Sequence, residues 1–232
     1  MVKKAGIVGV LLMLSSTLAG GESAEEVIKK VFETYQKIKS AQVDYMIMSE
    51  IENIGIINKV EGTNWVKGDK VKYKEVVWLP DNKKGEQLRV SDGKIFWVYQ
   101  KWLNTASRQV FPEEIQRANK KGVKRLGALK GLLPIPSPQE KWRVKKVKEK
   151  KKEFWLIEPV NLPPRVVSHK FWVGTKDYLI YRRELKATEQ MGIQKLNSRI
   201  YAEYKNYKIN IPIPEEEFSF QPPEGVKVVS GF

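Results

Sequence analysis

From Gln42 onward, apolar residues recur at every second position in short runs, and turn-forming residues separate the runs. Period-two alternation marks a β-strand with one buried face. Eleven such runs fall near 42–51, 56–67, 70–79, 86–91, 94–100, 142–148, 153–159, 166–173, 178–187, 193–208 and 226–229. Between them, Asp81-Asn82-Lys83-Lys84-Gly85, Asp92-Gly93 and Gly174-Thr175-Lys176-Asp177 read as hairpin turns. The chain is therefore expected to be mainly β and mostly antiparallel. A single sheet of about eleven strands must curl.

Two segments break this pattern. Ser23 to Lys39 places Ala24, Val27, Ile28, Val31, Tyr35 and Ile38 at spacings of three and four, the stripe of an amphipathic helix. Ser23 and Glu26 make a capping box at its start. Around 111–140, Phe111-Pro112-Glu113-Glu114-Ile115 opens a second helix with early proline and acids in the first turn. Val123 to Leu133 continues as a short helical piece that Pro134, Pro136 and Pro138 end. A glycine-spotted apolar insert in a β chain reads either as a lid over one sheet face or as a connection packed on the core. No domain boundary or long-period repeat is visible, so residues 20–232 are expected to form one domain.

Met1-Val2-Lys3-Lys4 is a basic start, Ala5 to Leu14 an apolar run, and Ser15 to Gly20 small and polar. That order is a secretory signal, and the run falls short of the ~20 apolar residues that span a bilayer. Cleavage is expected near Ala19. Gly21 stands where a lipoprotein signal would have its acylated cysteine, so a soluble, unanchored, periplasmic protein is expected. The net charge is +15, or +13 without Lys3 and Lys4. An exported protein of that charge meets anionic head groups and acidic proteins rather than nucleic acid. The absence of cysteine removes disulfides, thiolate metal sites and cysteine nucleophiles.

Catalytic signals are weak. There is no Gly-rich phosphate loop, no His-Glu-x-x-His and no Gly-x-Ser-x-Gly, and neither a catalytic group, a metal nor a cofactor is expected. His169, the lone histidine, alternates along a strand and reads as a structural one. Glu215-Glu216-Glu217 reads as a solvated first turn after Pro214. The charge run Lys145 to Lys152 lies at a hairpin tip, either simply solvated or a dock for anionic lipid or an acidic partner. The aromatics are more telling. Trp65, Tyr73, Trp78, Trp97, Tyr99, Trp102, Trp142, Trp155, Phe171, Trp172, Tyr178 and Tyr181 nearly all fall on expected strands, and a half-closed sheet with one helix leaves apolar surface over. Such surface suits acyl chains.

Three segments resemble the LolA family of periplasmic lipoprotein carriers. They are Lys37-Ile38-Lys39-Ser40 with Val43-Asp44-Tyr45, then Trp65-Val66-Lys67 with Val90-Ser91-Asp92-Gly93-Lys94-Ile95-Phe96-Trp97-Val98-Tyr99, and finally Phe218-Ser219-Phe220-Gln221-Pro222-Pro223-Glu224-Gly225-Val226-Lys227-Val228. The resemblance implies an incomplete, half-open antiparallel barrel with an N-terminal helix and a short helical lid over an apolar cavity. It implies a monomeric carrier that accepts lipid-modified proteins from an inner-membrane lipoprotein-releasing transporter and hands them to an outer-membrane lipoprotein receptor. A sensor resembling the RseB group shares this fold but continues into a second domain, whereas this sequence stops just past the Pro-Pro-x-Gly motif. Many carriers follow Trp-Val-Lys with an arginine that latches the lid. Gly68-Asp69 stands there instead, so either Lys67 or Lys70 substitutes or the lid closes differently. Trp65, Val71, Tyr73, Ile95, Trp97, Tyr99, Phe171 and Val173 are the expected cavity walls, with Ile95, Trp97 and Tyr99 on one strand face.

Overall fold

The computed structural model describes residues 22–52, 54–79, 83–126, 128–131, 133–191 and 194–230. The expected signal peptide, residues 1–19, lies outside them. Helix α1 (Ala24–Gln36) leads into β1 (Ser40–Ile51), β2 (Gly55–Lys67), β3 (Lys70–Trp78), β4 (Lys84–Ser91), β5 (Ile95–Gln100) and β6 (Thr105–Val110). Helix α2 (Glu113–Leu126) and a 3-10 turn (Ala128–Gly131) interrupt the strands. The sheet resumes with β7 (Trp142–Glu149), β8 (Lys152–Pro159), β9 (Val166–Gly174), β10 (Ile180–Met191) and β11 (Gln194–Ile209). A 3-10 turn (Glu215–Phe218) and β12 (Lys227–Ser230) follow.

All twelve strands share one sheet, ordered β12-β6-β5-β4-β3-β2-β1-β11-β10-β9-β8-β7. β12 and β7 are its two ends, so the sheet is open, as the sequence led one to expect. Pairing is antiparallel except between β12 and β6, which run parallel. The first and last strands of the two meanders meet at β1 and β11, where Tyr45 faces Tyr204 and Ile47 faces Ala202. The strand beyond the expected eleven is β6. Its sequence, Thr-Ala-Ser-Arg-Gln-Val, is too polar to alternate, and its pairing with β5 makes it a strand.

The capping box forms. Ser23 N–H donates to Glu26 Oε2 at 2.8 Å, and Glu26 N–H donates to Ser23 Oγ at 3.2 Å. These bonds satisfy backbone donors that the first turn would otherwise leave open. Val27, Ile28, Val31 and Tyr35 then bury the apolar stripe of α1 against one sheet face, termed here the inner face. Burial of each side chain of this size is worth roughly 1.5–3 kcal/mol. Tyr35 is fully buried and its hydroxyl accepts the Ile180 N–H at 2.9 Å, tying α1 to the second half of the sheet.

Because side chains alternate, the strand register fixes which residues share the inner face. Ala41, Val43, Tyr45 and Ile47 of β1 lie beside Val66, Asn64, Gly62 and Val60 of β2. Val71, Tyr73, Glu75 and Val77 of β3 continue that row. On the other side it runs through Ala202 and Tyr204 of β11, Arg183 and Leu185 of β10, Phe171 and His169 of β9, and Ile157 of β8. Among the described residues no helix is long and apolar enough to cross a membrane.

Candidate functional site

The helices cover only part of the inner face. Ala128, Leu129 and Leu133 are buried beside α1, β1 and β2, and Ala128 N–H donates to Ile38 O at 2.9 Å. The segment after α2 is therefore plugged into the core by three side chains. Farther along the same strands, Ile47, Val60, Val77, Leu185 and Ile200 are only half-buried. The apolar inner face thus continues beyond its helical cover.

Between the sheet and α2 lies a cavity of about 200 Å³, lined by Val71, Tyr73, Arg89, Phe96, Phe111 and Ala128. Ligand pockets are commonly ~300–1,000 Å³, so a large apolar ligand would fit there only if the segment around α2 moved. A recess of about 600 Å³ opens separately between α1 and the start of β7, where Ile28, Trp142 and Val160 meet Glu25, Lys29, Glu140 and Lys141.

Two arginines sit on the inner face, in different surroundings. Glu75 is only 2% exposed. Arg89 grips it with both Nε, at 2.7 Å, and Nη2, while Gln87 donates at 3.0 Å and the Tyr45 hydroxyl donates as well. The Arg89 guanidinium also lies 4.2 Å from the Tyr73 ring centre. Burial, and then the neighbouring Glu75, push the Tyr45 phenol well above its ordinary range, so it stays a donor. Only glycine fits at position 62, across from Glu75, since a Cβ there would lie 2.4 Å from Lys74 O. Arg183, between Phe171 and Ala202, has no such carboxylate among the described residues. Its Nε donates to His169 Nε2 at 3.0 Å, and His169 in turn lies 4.3 Å from the Phe171 ring. Burial, with the Arg183 charge adding to it, pulls the His169 pKa down to about 4. The imidazole is therefore neutral near pH 7 and accepts through Nε2.

The structure divides the eight expected wall residues between two faces. Val71 and Tyr73 line the cavity, and Phe171 and Val173 are buried in the adjoining core at 1% and 0% exposure. Trp65, Ile95, Trp97 and Tyr99 lie on the outer face, as the pairs Trp65–Lys72, Lys72–Val90 and Val90–Trp97 require. There the C-terminal segment covers Trp97 and Tyr99. Phe220 packs 5.6 Å from the Trp97 ring and 5.7 Å from Tyr99, and Phe218 is 2% exposed. Ile95, Trp97 and Tyr99 do share one strand face.

Lys67 and Lys70 do not latch the lid. Lys67 pairs with Glu215 at 2.8 Å and donates to Ile213 O at 2.9 Å, and Lys70 pairs with the other Glu215 oxygen. Bonds from those two lysines hold the Glu215 carboxyl down to about 2. Glu217 pairs with Lys72. The acidic turn is thus a set of ties to β2 and β3, rather than the freely solvated turn its sequence suggested. Arg183 and the half-buried apolar row around it were not singled out in the sequence. The signal was available, because Arg183 and Leu185 alternate in step opposite Phe171 and His169. Among the described residues, no group of three or more His, Cys, Asp or Glu is placed to hold a metal ion.

No family model matches the chain. It is 25% identical over 214 residues to an uncharacterized protein of Methanocaldococcus jannaschii, covering 90% of this chain and 54% of that one. The chain thus spans about half the length of that curated relative. An uncharacterized conserved protein from Thermus thermophilus is similar in structure over 90% of this chain and 100% of its own, with 12% identity and a TM-score of 0.49. A LolA superfamily protein from Nitrosomonas europaea, by that description one of the group the motifs resemble, is similar over 86% and 99%, with 12% identity and a TM-score of 0.35.

Proposed function

We propose that the chain is an exported, non-catalytic binding protein that takes up acyl chains on the inner face of its sheet. The observation that carries this reading is the apolar row running from Val71 and Tyr73 under the lid segment out to half-buried Ile47, Val60, Leu185 and Ile200. Ala128, Leu129 and Leu133 occupy that row in place of a ligand. An acyl chain is the natural competitor for such a plug, since either one removes the same surface from water. Each methylene of the ligand contributes ~0.8 kcal/mol on burial, and the ligand shifts the lid by its differential affinity for the open state.

In its finer form the reading is a monomeric periplasmic carrier of lipid-modified proteins. It would take them from an inner-membrane lipoprotein-releasing transporter and pass them to an outer-membrane lipoprotein receptor. Val71 and Tyr73 are its first acyl contacts, with Phe171 and Val173 forming the adjoining wall once the plug withdraws. Trp65, Ile95, Trp97 and Tyr99 hold the outer face in shape. A second reading, the sensing module of a longer protein, is favoured by the extra length of the Methanocaldococcus relative. Binding of an environment-sensitive fluorescent lipid, competed by fatty acids of increasing length, tests the shared core of both. Longer chains should compete better. Affinity indifferent to chain length would remove the acyl reading.

A further inference from the structure

Four arginines among the described residues are half-buried in the sheet: Arg89, Arg182, Arg183 and Arg199. Three of them face carboxylates, Arg89 pairing with Glu75, Arg182 with Glu149 and Arg199 with Glu184. Arg183 has no carboxylate partner among the described residues, and its only hydrogen bond there is the one from Nε to His169. Its two terminal nitrogens are not among the fully buried unpartnered atoms, so they keep some contact with solvent. Glu75, the buried carboxylate of the inner face, is already held by Arg89. The arrangement leaves one uncompensated positive charge on an apolar surface.

That position is costly without a counter-charge. A partly desolvated ion loses hydration that only a partner or hydrogen bonds can restore. Burial lowers the Arg183 pKa, and His169, also depressed, carries no charge to oppose it. The histidine contributes orientation instead. By accepting from Nε it fixes the guanidinium plane and leaves the paired terminal nitrogens for a planar or tetrahedral oxyanion, the geometry that arginine binds with two bonds. Leu185 and Ile200 flank it in the same row, where a hydrocarbon chain would lie.

We infer that Arg183 anchors an anionic head group, a carboxylate or a phosphate, on the acyl-bearing ligand of the inner face. This rests on the acyl reading above and adds the charge of the ligand to it. The test is competition against a fluorescent fatty-acyl probe by three ligands of equal chain length: hexadecanoate, hexadecanol and palmitoyl lysophosphatidate. Wild-type protein should bind at least one of the two anions about tenfold or more tightly than the alcohol, the scale of a hydrogen bond to a charged group. Arg183→Gln should bring acid, phosphate and alcohol to one affinity while leaving the alcohol unchanged. Arg183→Lys, which keeps the charge and loses the fork, should retain part of the preference. Gln removes an unpaired charge and so should not unfold the protein, which melting curves will verify. A carboxylate preference and a phosphate preference both support the anchor and tell the two sources apart. Equal affinity for all three in wild type, or a preference that survives in Arg183→Gln, overturns it. If none of the three competes, the acyl reading itself fails.

Discussion

The two faces of the β2–β5 region are both covered, and by opposite means. On the outer face the C-terminal segment is stapled down. Phe218 and Phe220 pack on the sheet, with Phe220 against Trp97 and Tyr99, while Glu215 and Glu217 tie the same turn to Lys67, Lys70 and Lys72. On the inner face the segment after α2 is held by Ala128, Leu129 and Leu133 and the backbone bond to Ile38. The lesson is that aromatic richness alone does not mark a binding face. What distinguishes the faces is whether the cover is anchored by groups that a ligand cannot replace. A greasy plug can be replaced by a greasy ligand; a stapled strap cannot.

The largest effect is expected on the stapled side. Phe218→Ala should cost about 3–5 kcal/mol in urea denaturation, the usual range for a buried phenylalanine. Acyl binding by the folded fraction should be unchanged, and a parallel loss of binding would mean the outer face takes part in it. Next comes the plug. Leu129→Ala should cost about 2–3 kcal/mol, at the low end for a buried leucine because the site can collapse or fill. The same variant should bind long-chain probes more tightly than wild type, and unchanged affinity would show that plug and ligand do not compete. The smallest effect concerns pH. His169 in the folded state titrates near 4 rather than near 6.5, so the unfolded chain binds its proton more readily across that window. Its neutral form supports the fold above pH 6.5, and that support is lost as pH falls toward 4. Between pH 7 and 4.5, His169→Gln should lose about 1–2 kcal/mol less stability than wild type, discounted because the ring is half-exposed. Identical pH profiles would place the imidazole in water.

Much of this was legible before the structure. Helix α1 was readable from its stripe and capping pair, because both signals are local. Two hairpins, β4–β5 and β9–β10, were readable from Asp92-Gly93 and Gly174-Thr175-Lys176-Asp177, while Asp81 and Asn82 of the third expected turn lie outside the described residues. β6 was not, because Thr105 to Val110 owes its conformation to the neighbour Ile95 to Gln100 and carries no pattern of its own. The same limit applies to the wall residues. Alternation places Ile95, Trp97 and Tyr99 together and Val71 with Tyr73. Which set meets the helices depends on where the covering segments land, and those segments are distant in sequence. Lys67 and Lys70 illustrate the point: their partner, Glu215, lies roughly 145 residues away.

An open sheet of twelve strands has something a closed barrel lacks, two free edges. A bare edge is a template on which a strand of another molecule can pair, and from which aggregates grow. One edge here is β12, only four residues long. The other is β7, whose Arg143, Lys145, Lys146 and Lys148 are all exposed along eight residues of strand. Any chain adding to that edge would bring its own strand alongside one guanidinium and three ammonium groups. Charge on an edge strand disfavours such pairing, and the lysine-rich segment that begins on β7 places it on this edge.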